Sequence, residues 1–330
     1  MEKAAKNNPT IGILCALASE VLYGLSFIFT KHAIGVASPV YLLGWRFAIA
    51  LAVFGICIVL GIAQVDLKGR DIRPLILMGL LFPVLYFVGE TVGIMNTTAT
   101  ESGVILACIP AISCIASTVI LHKIPSSRQI SGILVTLGGV TLTVIAVGLD
   151  SSFSVVGYSF LALAVVVYAL YSVFAAWAEE VTTSEQTIVM LAVAACVFVA
   201  AALVKAVVNG ELVELISLPA QDTGFLVAIL YQGIGCSVGA VFLSNVAISA
   251  VGVNRISALG GLATVVSISA GVLVLREPFS ILQMVGAMVI IAGVTVANTG
   301  RAGNDGAEVR ILESAPEEAR EKAVVPSGTD

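Results

Sequence analysis

Two carboxylates, Glu20 and Glu90, stand inside long apolar runs of this chain. An ionisable group at the centre of such a run costs about 2.5 kcal/mol or more in a lipid setting, and it faces an interior or a cavity. Glu20 lies ten residues into its run, about 15 Å from the start at helical rise. Tyr23, Gly24, Phe27 and Lys31 follow on the same helical face. Pro83 and Tyr86 precede Glu90 by seven and four residues, and Pro83 frees the carbonyl of Gly79, which predicts a kink and a polar seam. A third polar set, Tyr231, Gln232, Ser244 and Asn245, shares one run with Gly235 and Gly239. A protonatable carboxyl is suited to taking up a proton or holding an amine; the side-chain amides are suited to orienting a polar ligand. Each group could equally serve only to hydrogen-bond a neighbouring helix, at about 0.6 kcal/mol per contact. Glu20, Tyr23, Tyr86, Glu90, Gln232 and Asn245 are the candidate binding residues. Tyr41 and Trp45 read as an interfacial aromatic belt, Arg46 as a side chain that snorkels or pairs with an acid, with a role in substrate entry the lesser reading, and Lys205 as one that snorkels to the surface.

Reaction chemistry finds little support. The two histidines, His32 and His122, sit near run ends, and the two deep acids are on separate runs. Six cysteines, none in CxxC spacing, argue against a metal site, and there is no Walker-type lysine loop. No cofactor is expected, and a membrane-embedded enzyme is a distant alternative.

The elements that position these residues follow from composition. Apolar types make up 58% and charged types 11% of the 330 residues, against about 25% charged in soluble domains. Mean hydropathy is +1.06. The net charge of −5 gives no reason to expect nucleic acid. Residues 301–330 hold four basic against seven acidic side chains, a net of −3, without an apolar face, and read as a disordered acidic tail. Lys3 and Lys6 before an apolar run resemble a signal peptide, but the run continues to Ile34 and predicts an uncleaved span.

Ten apolar stretches reach spanning length, about 20 residues. They cover 10–34, 40–63, 74–96, 101–121, 130–149, 157–178, 187–208, 223–248, 256–275 and 281–299. They are too long and uniformly apolar for barrel strands. With the N-terminus inside, nine basic residues flank the inner ends and four, Lys31, Arg46, Lys205 and Arg276, the outer ends. Both termini are then cytoplasmic, in a multi-pass protein of the cell membrane. Gln129, Gly132, Gly139 and Thr141 recur as Gln283, Gly286, Gly293 and Thr295, every pair 154 residues apart. Each half holds five spans, an odd number, so the second half enters upside down. The expectation is an all-α integral membrane protein of ten transmembrane helices in two inverted five-helix repeats. Residues 1–9 form a cytoplasmic N-terminus, 10–149 and 150–300 the two repeats, and 301–330 the tail. At the repeat shift Glu90 meets Ser244 and Thr91 meets Asn245. Gly139 with Thr143 and Gly293 with Ala297 predict internal helix packing rather than a dimer interface.

Tyr23-Gly24-Leu25-Ser26-Phe27, then Lys31, Pro39 and Arg46, followed in the second half by Leu275-Arg276-Glu277-Pro278, Gln283 and Gly286, resemble the drug/metabolite transporter superfamily, in particular proteins with two tandem EamA domains. The first half departs from the pattern with Lys123 where a glutamate is usual. The resemblance covers about 10–299. It implies a secondary transporter of a small metabolite, an amino acid or related polar or amphipathic compound, with export the expected direction and protons a candidate coupling ion. It further implies a central cavity bounded by the first, third, fourth, sixth, eighth and ninth spans, with the fifth and tenth peripheral. The alternative is a translocase of a lipid-linked or sugar-type substrate. Oligomeric state is left open.

Overall fold

Hydrocarbon offers a backbone no hydrogen-bond partners, so a spanning chain must close its own bonds in helices. The computed structural model describes the backbone of residues 9–120, 125–149, 154–177, 181–251 and 261–314. Within these, the side chains of 9, 147–149, 176–177, 245, 248–251 and 298–314 lie outside the described set. Among the described residues every regular element is a helix. They are α1 (Pro9–Val36), α2 (Pro39–Val59), α3 (Arg73–Gly79, Leu80–Leu85 and Tyr86–Asn96), α4 (Ala99–Leu106 and Ile109–Ile120), α5 (Ser127–Leu149) and α6 (Val155–Trp177). Then come α7 (Thr183–Asn209), α8 (Leu212–Gln221), α9 (Thr223–Leu230, Tyr231–Ala240 and Val241–Val251), α10 (Gly261–Leu273) and α11 (Ile281–Ser314).

Eight of these, α1 to α7 and α9, are long and apolar enough to cross a membrane. The described part of α10 and the apolar part of α11, Ile281–Ala297, are shorter apolar helices; the sequence before α10 lies outside the described residues. The disordered tail expected over 301–330 is helical as far as Ser314. Its Ala, Glu, Arg and Leu are good helix formers, and they extend α11 without an apolar face.

Sequence reading missed α8, which it treated as an open connection. The helix is amphipathic and short: Leu215 and Leu218 are buried while Val213 and Ile216 face outward. Tyr41 and Trp45, read as an interfacial aromatic belt, explain its position. The Tyr41 hydroxyl donates to Glu211 Oε2 at 2.6 Å, and Trp45 Nε1 donates to the Leu215 carbonyl at 3.0 Å. Lys205 Nζ, expected to snorkel, donates to Ser38 Oγ at 2.6 Å.

Two helices are broken. In α3 the Pro83 kink expected from sequence is present: Phe82 leaves helical geometry (φ −129°, ψ 114°) and the turn around it is π-helical. In α9 the π-helical stretch Tyr231–Ala240 holds Gly233, Gly235 and Gly239. Moved by the 154-residue repeat shift, Leu80–Leu85 falls on 234–239, inside that stretch.

The pairing of α5 with α11 shows most directly how the halves meet. A Cβ on Gly139 would stand 2.8 Å from the Gly286 carbonyl oxygen, and one on Gly293 would stand 2.8 Å from that of Gly132. A Cβ on Gly286 would meet the Gly139 oxygen at 3.0 Å and the Thr143 amide at 3.1 Å. The partners rise on one helix as they fall on the other, so the helices run antiparallel. Each contact maps onto another when both residues are moved by the repeat shift: 132 with 293 becomes 286 with 139. Both helices also begin with the same reciprocal cap, Ser126 with Gln129 and Ser280 with Gln283, in which each side chain accepts from the other residue's amide at 2.7–3.3 Å. The small-residue stripes therefore serve internal packing, as their spacing predicts.

Gly286→Val forces a branched side chain into backbone contact. Overpacking of this kind costs about 1–3 kcal/mol, and the variant should lower the thermal unfolding midpoint of the purified protein by several degrees. Gly138→Ala, whose Cβ meets nothing within 4 Å, should leave the midpoint within error of wild type.

Candidate functional site

A cavity of about 240 Å³ opens between the two halves. Its walls come from α1 (Tyr23), α2 (Arg46, Phe47), α3 (Phe82, Pro83, Phe87), α6 (Tyr171), α7 (Thr183, Gln186, Thr187, Met190, Leu191) and α9 (Cys236, Ser237, Val241). The cavity implied by the family resemblance had walls from the fourth and ninth spans. In the structure α2 and α7 take those places, because Gly44 and Gly233 let α2 approach α7 and α9 to backbone distance. A Cβ on Gly44 would lie 2.9 Å from Ala202 Cβ, and one on Gly233 would lie 3.0 Å from the Arg46 carbonyl oxygen.

Arg46 dominates the cavity. Sequence reading placed it at the outer end, snorkelling or paired with an acid, with substrate entry the lesser reading; the structure buries it at 5% exposure. Its Nη1 donates to Gln232 Oε1 at 2.9 Å, and Gln232 Nε2 donates to Thr30 Oγ1 at 3.0 Å, a buried chain linking α2, α9 and α1. The guanidinium carbon lies 4.1 Å from the Phe87 ring centroid, within cation–π reach. Arg46 Nε is buried with no hydrogen-bond partner. The signal was in the sequence: an arginine seven residues past Pro39, inside an apolar run, is an intramembrane charge and deserves the same reading as Glu20.

The six sequence candidates separate. Tyr23 lines the cavity. Gln232 lies behind the wall and holds Arg46. Tyr86 donates to Glu90 Oε1 at 3.1 Å, and both side chains are buried. The Tyr86 ring belongs to a cluster with Phe82, Phe87 and Tyr168, at centroid separations of 4.9–5.6 Å. Glu20 is half-buried and accepts from the backbone of Ala263 in α10. The Asn245 side chain lies outside the described residues. Glu101 was missed: it is buried at the start of α4 and accepts from the Tyr158 hydroxyl at 3.3 Å.

At the other face of the bundle the α3–α4 junction is clasped from both sides. Lys31 Nζ donates to the carbonyls of Ile94, at 2.8 Å, and Thr97, closing the end of α3. Glu277, from the second half, accepts from the amides of Ala99 and Thr100 at 2.7 and 2.9 Å, closing the start of α4. Nearby, the Tyr41 hydroxyl holds the Glu211 carboxyl below the usual carboxylate range.

Membrane-length helices enclosing a ligand-sized cavity between two similar halves are the architecture of a polytopic membrane transporter. The chain belongs to the EamA-like transporter family, whose profile matches residues 10–145 and again 155–299. It is 30% identical over 295 residues to the "Uncharacterized transporter YcxC" of Bacillus subtilis (strain 168), covering 89% of this chain and 94% of that protein. It is 25% identical over 294 residues to the "Uncharacterized transporter YyaM" of the same strain, covering 86% and 92%. A solved structure, titled "Crystal structure of protein", superposes with a TM-score of 0.56 at 20% identity over 87% of this chain and 96% of that one, a likeness of fold.

Gln232→Leu keeps the volume and removes the acceptor that holds Arg46. A hydrogen bond to a charged group is worth about 1.5–3 kcal/mol, so the variant should lose about 2 kcal/mol of unfolding free energy. Thr30→Val, one step further from the charge, should lose about 0.6 kcal/mol. Equal losses, measured by reversible denaturation in mixed micelles, would show that Arg46 does not depend on Gln232.

Proposed function

We propose that the protein is a secondary transporter that moves a small polar or amphipathic metabolite across the cell membrane by alternating access of two inverted five-helix repeats, ten spans in all. The observation that carries this reading is the cavity between the halves, together with the antiparallel α5–α11 contacts that exchange under the repeat shift. Broken helices flanking a central site are a recurrent plan in such transporters, and the interrupted stretches of α3 and α9 occupy matched positions. The described parts of α10 and α11 are the ninth and tenth spans.

With both termini cytoplasmic, Thr183, Gln186 and Thr187 at the start of α7 put the cavity mouth on the cytoplasmic side. The clasp of Lys31 and Glu277 and the Arg46–Gln232–Thr30 chain then close the outer side. This is the inward-facing arrangement, suited to loading a substrate for export. Glu20, Tyr23, Tyr86, Glu90, Gln232 and Asn245 remain the proposed substrate-site set, with Arg46 added. A proton is the proposed coupling ion, carried on Glu20 or Glu90.

Labelling and transport test this together. In a cysteine-free background, Gly210→Cys should react with an impermeant maleimide from outside the cell and Ser126→Cys only after permeabilisation; inside-only labelling of Gly210→Cys would overturn the topology. In proteoliposomes at least one of Glu20→Gln and Glu90→Gln should abolish pH-dependent transport while the protein still inserts and folds. If both variants transport as wild type does between about pH 5.5 and 8.5, neither acid carries the proton and both are structural.

A further inference from the structure

Arg46 is a permanent charge, because a guanidinium does not deprotonate in proteins. One of its donors is committed, Nη1 to Gln232, and Nε is buried without any partner. Among the described residues no carboxylate comes within 4.0 Å of it. The buried Glu90 is engaged by Tyr86. The guanidinium carbon lies 4.1 Å from the Phe87 ring centroid, and Arg46 is among the residues that line the cavity. A guanidinium offers a carboxylate two parallel donors, so the pair can be bidentate. A buried cation left short of an acceptor is costly, and an anionic ligand relieves it.

The rest of the cavity selects the body of the ligand. Tyr23, Phe82, Phe87 and Tyr171 present aromatic surfaces, with Phe82 and Tyr171 centroids 5.0 Å apart, and Met190 and Leu191 add apolar wall. Glu20 and Glu90 of the proposed substrate-site set are not among the described lining residues, so an ammonium group held against the cavity wall would lack a direct counter-charge there. A volume of 240 Å³ equals about eight waters, at about 30 Å³ each, and suits a ligand of about ten non-hydrogen atoms.

From this geometry we propose that the cavity binds a small organic monocarboxylate with a flat apolar body and no amine, its carboxylate paired with the Arg46 guanidinium. This rests on the transporter reading above and narrows its substrate class from amino acids to simple carboxylic acids.

The test uses the full-length protein in nanodiscs with three probes of one shape: phenylacetate, phenylacetamide and phenethylamine. Isothermal titration should give saturable binding of phenylacetate, with the amide and the amine at least about tenfold weaker, a difference of about 1.4 kcal/mol. Arg46→Gln should lose at least about tenfold in phenylacetate affinity without changing the weak amide binding, and Arg46→Lys should recover part of the loss. Phenylalanine should bind more weakly than phenylacetate. Equal binding of acid and amide to the wild-type protein, or no binding of phenylacetate up to about 10 mM, overturns the proposal even where Arg46→Gln does not fold. Full phenylacetate affinity in a folded Arg46→Gln overturns it as well. Counterflow of labelled phenylacetate in proteoliposomes separates the two readings. Binding without movement sinks the transporter reading, whereas movement of other solutes without phenylacetate binding sinks only the carboxylate assignment.

Discussion

Inside a bilayer no water completes a broken backbone hydrogen bond, and this constraint orders the whole structure. At the α3–α4 junction, side chains from elsewhere reach the freed groups. Lys31 and Glu277 close the α3 end and the α4 start. Within the irregular stretch of α9, Ser237 Oγ donates to the Gln232 carbonyl at 2.9 Å. At the start of that stretch the Tyr231 hydroxyl donates to the Leu22 carbonyl of α1 at 2.9 Å. Lys31, Glu277 and Ser237 thus serve interrupted helices. Polar groups not so engaged, Arg46 above all, are the ones a ligand can use.

Charge placement follows the same logic. A buried arginine and a buried glutamate are tolerated side by side without forming an ion pair, because each has a neutral partner: Gln232 for Arg46 and Tyr86 for Glu90. Neutral partners satisfy part of a charged group and leave its remaining donors or acceptors free, whereas a direct pair would cancel both charges and close the site. The ring stack around them, with Phe47 between Phe87 and Phe198 at 5.3 Å from each, holds α2, α3 and α7 at fixed spacing.

Much of this was legible in the sequence. Apolar runs of about 20 residues gave the helices, because spanning length and uniform apolarity are properties of a segment alone. The 154-residue shift was visible because Gly132, Gly139, Gly286 and Gly293 answer a backbone contact that admits no side chain. The kink of α3 was visible because proline acts locally. The site was only partly legible. Tyr23, Tyr86, Glu90 and Gln232 do gather around the cavity or behind its wall, yet Arg46 passed for an interfacial cation because its depth depends on how α2 tilts against α7. Phe82, Tyr171 and Gln186 carried no signal, since an aromatic or amide on an apolar helix reads the same whether it faces lipid, core or cavity. Nor did α8, whose ten residues are too short to span and whose partners, Tyr41 and Trp45, lie 170 residues away.

The two kinds of helix contact divide the labour of the proposed transport cycle. The α5–α11 pair meets backbone to backbone, with glycine carbonyls where side chains would be, and such a contact has one arrangement: any slide drives a carbonyl into a Cα. It is a fixed pivot on which two halves can turn without losing register. The cavity helices meet through long side chains and irregular turns instead. Phe82 outside helical geometry and the π-helical turns of α9 give α3 and α9 local backbone freedom that a regular helix lacks. In the proposed cycle, opening the outer side would require the Lys31 and Glu277 contacts at the α3–α4 junction to let go, and these are charged side chains on backbone groups that water can replace once admitted. The closed side would then be held by bonds that hydration dissolves and the pivot by contacts that hydration cannot enter, and that difference would let one half rock against the other without unfolding either.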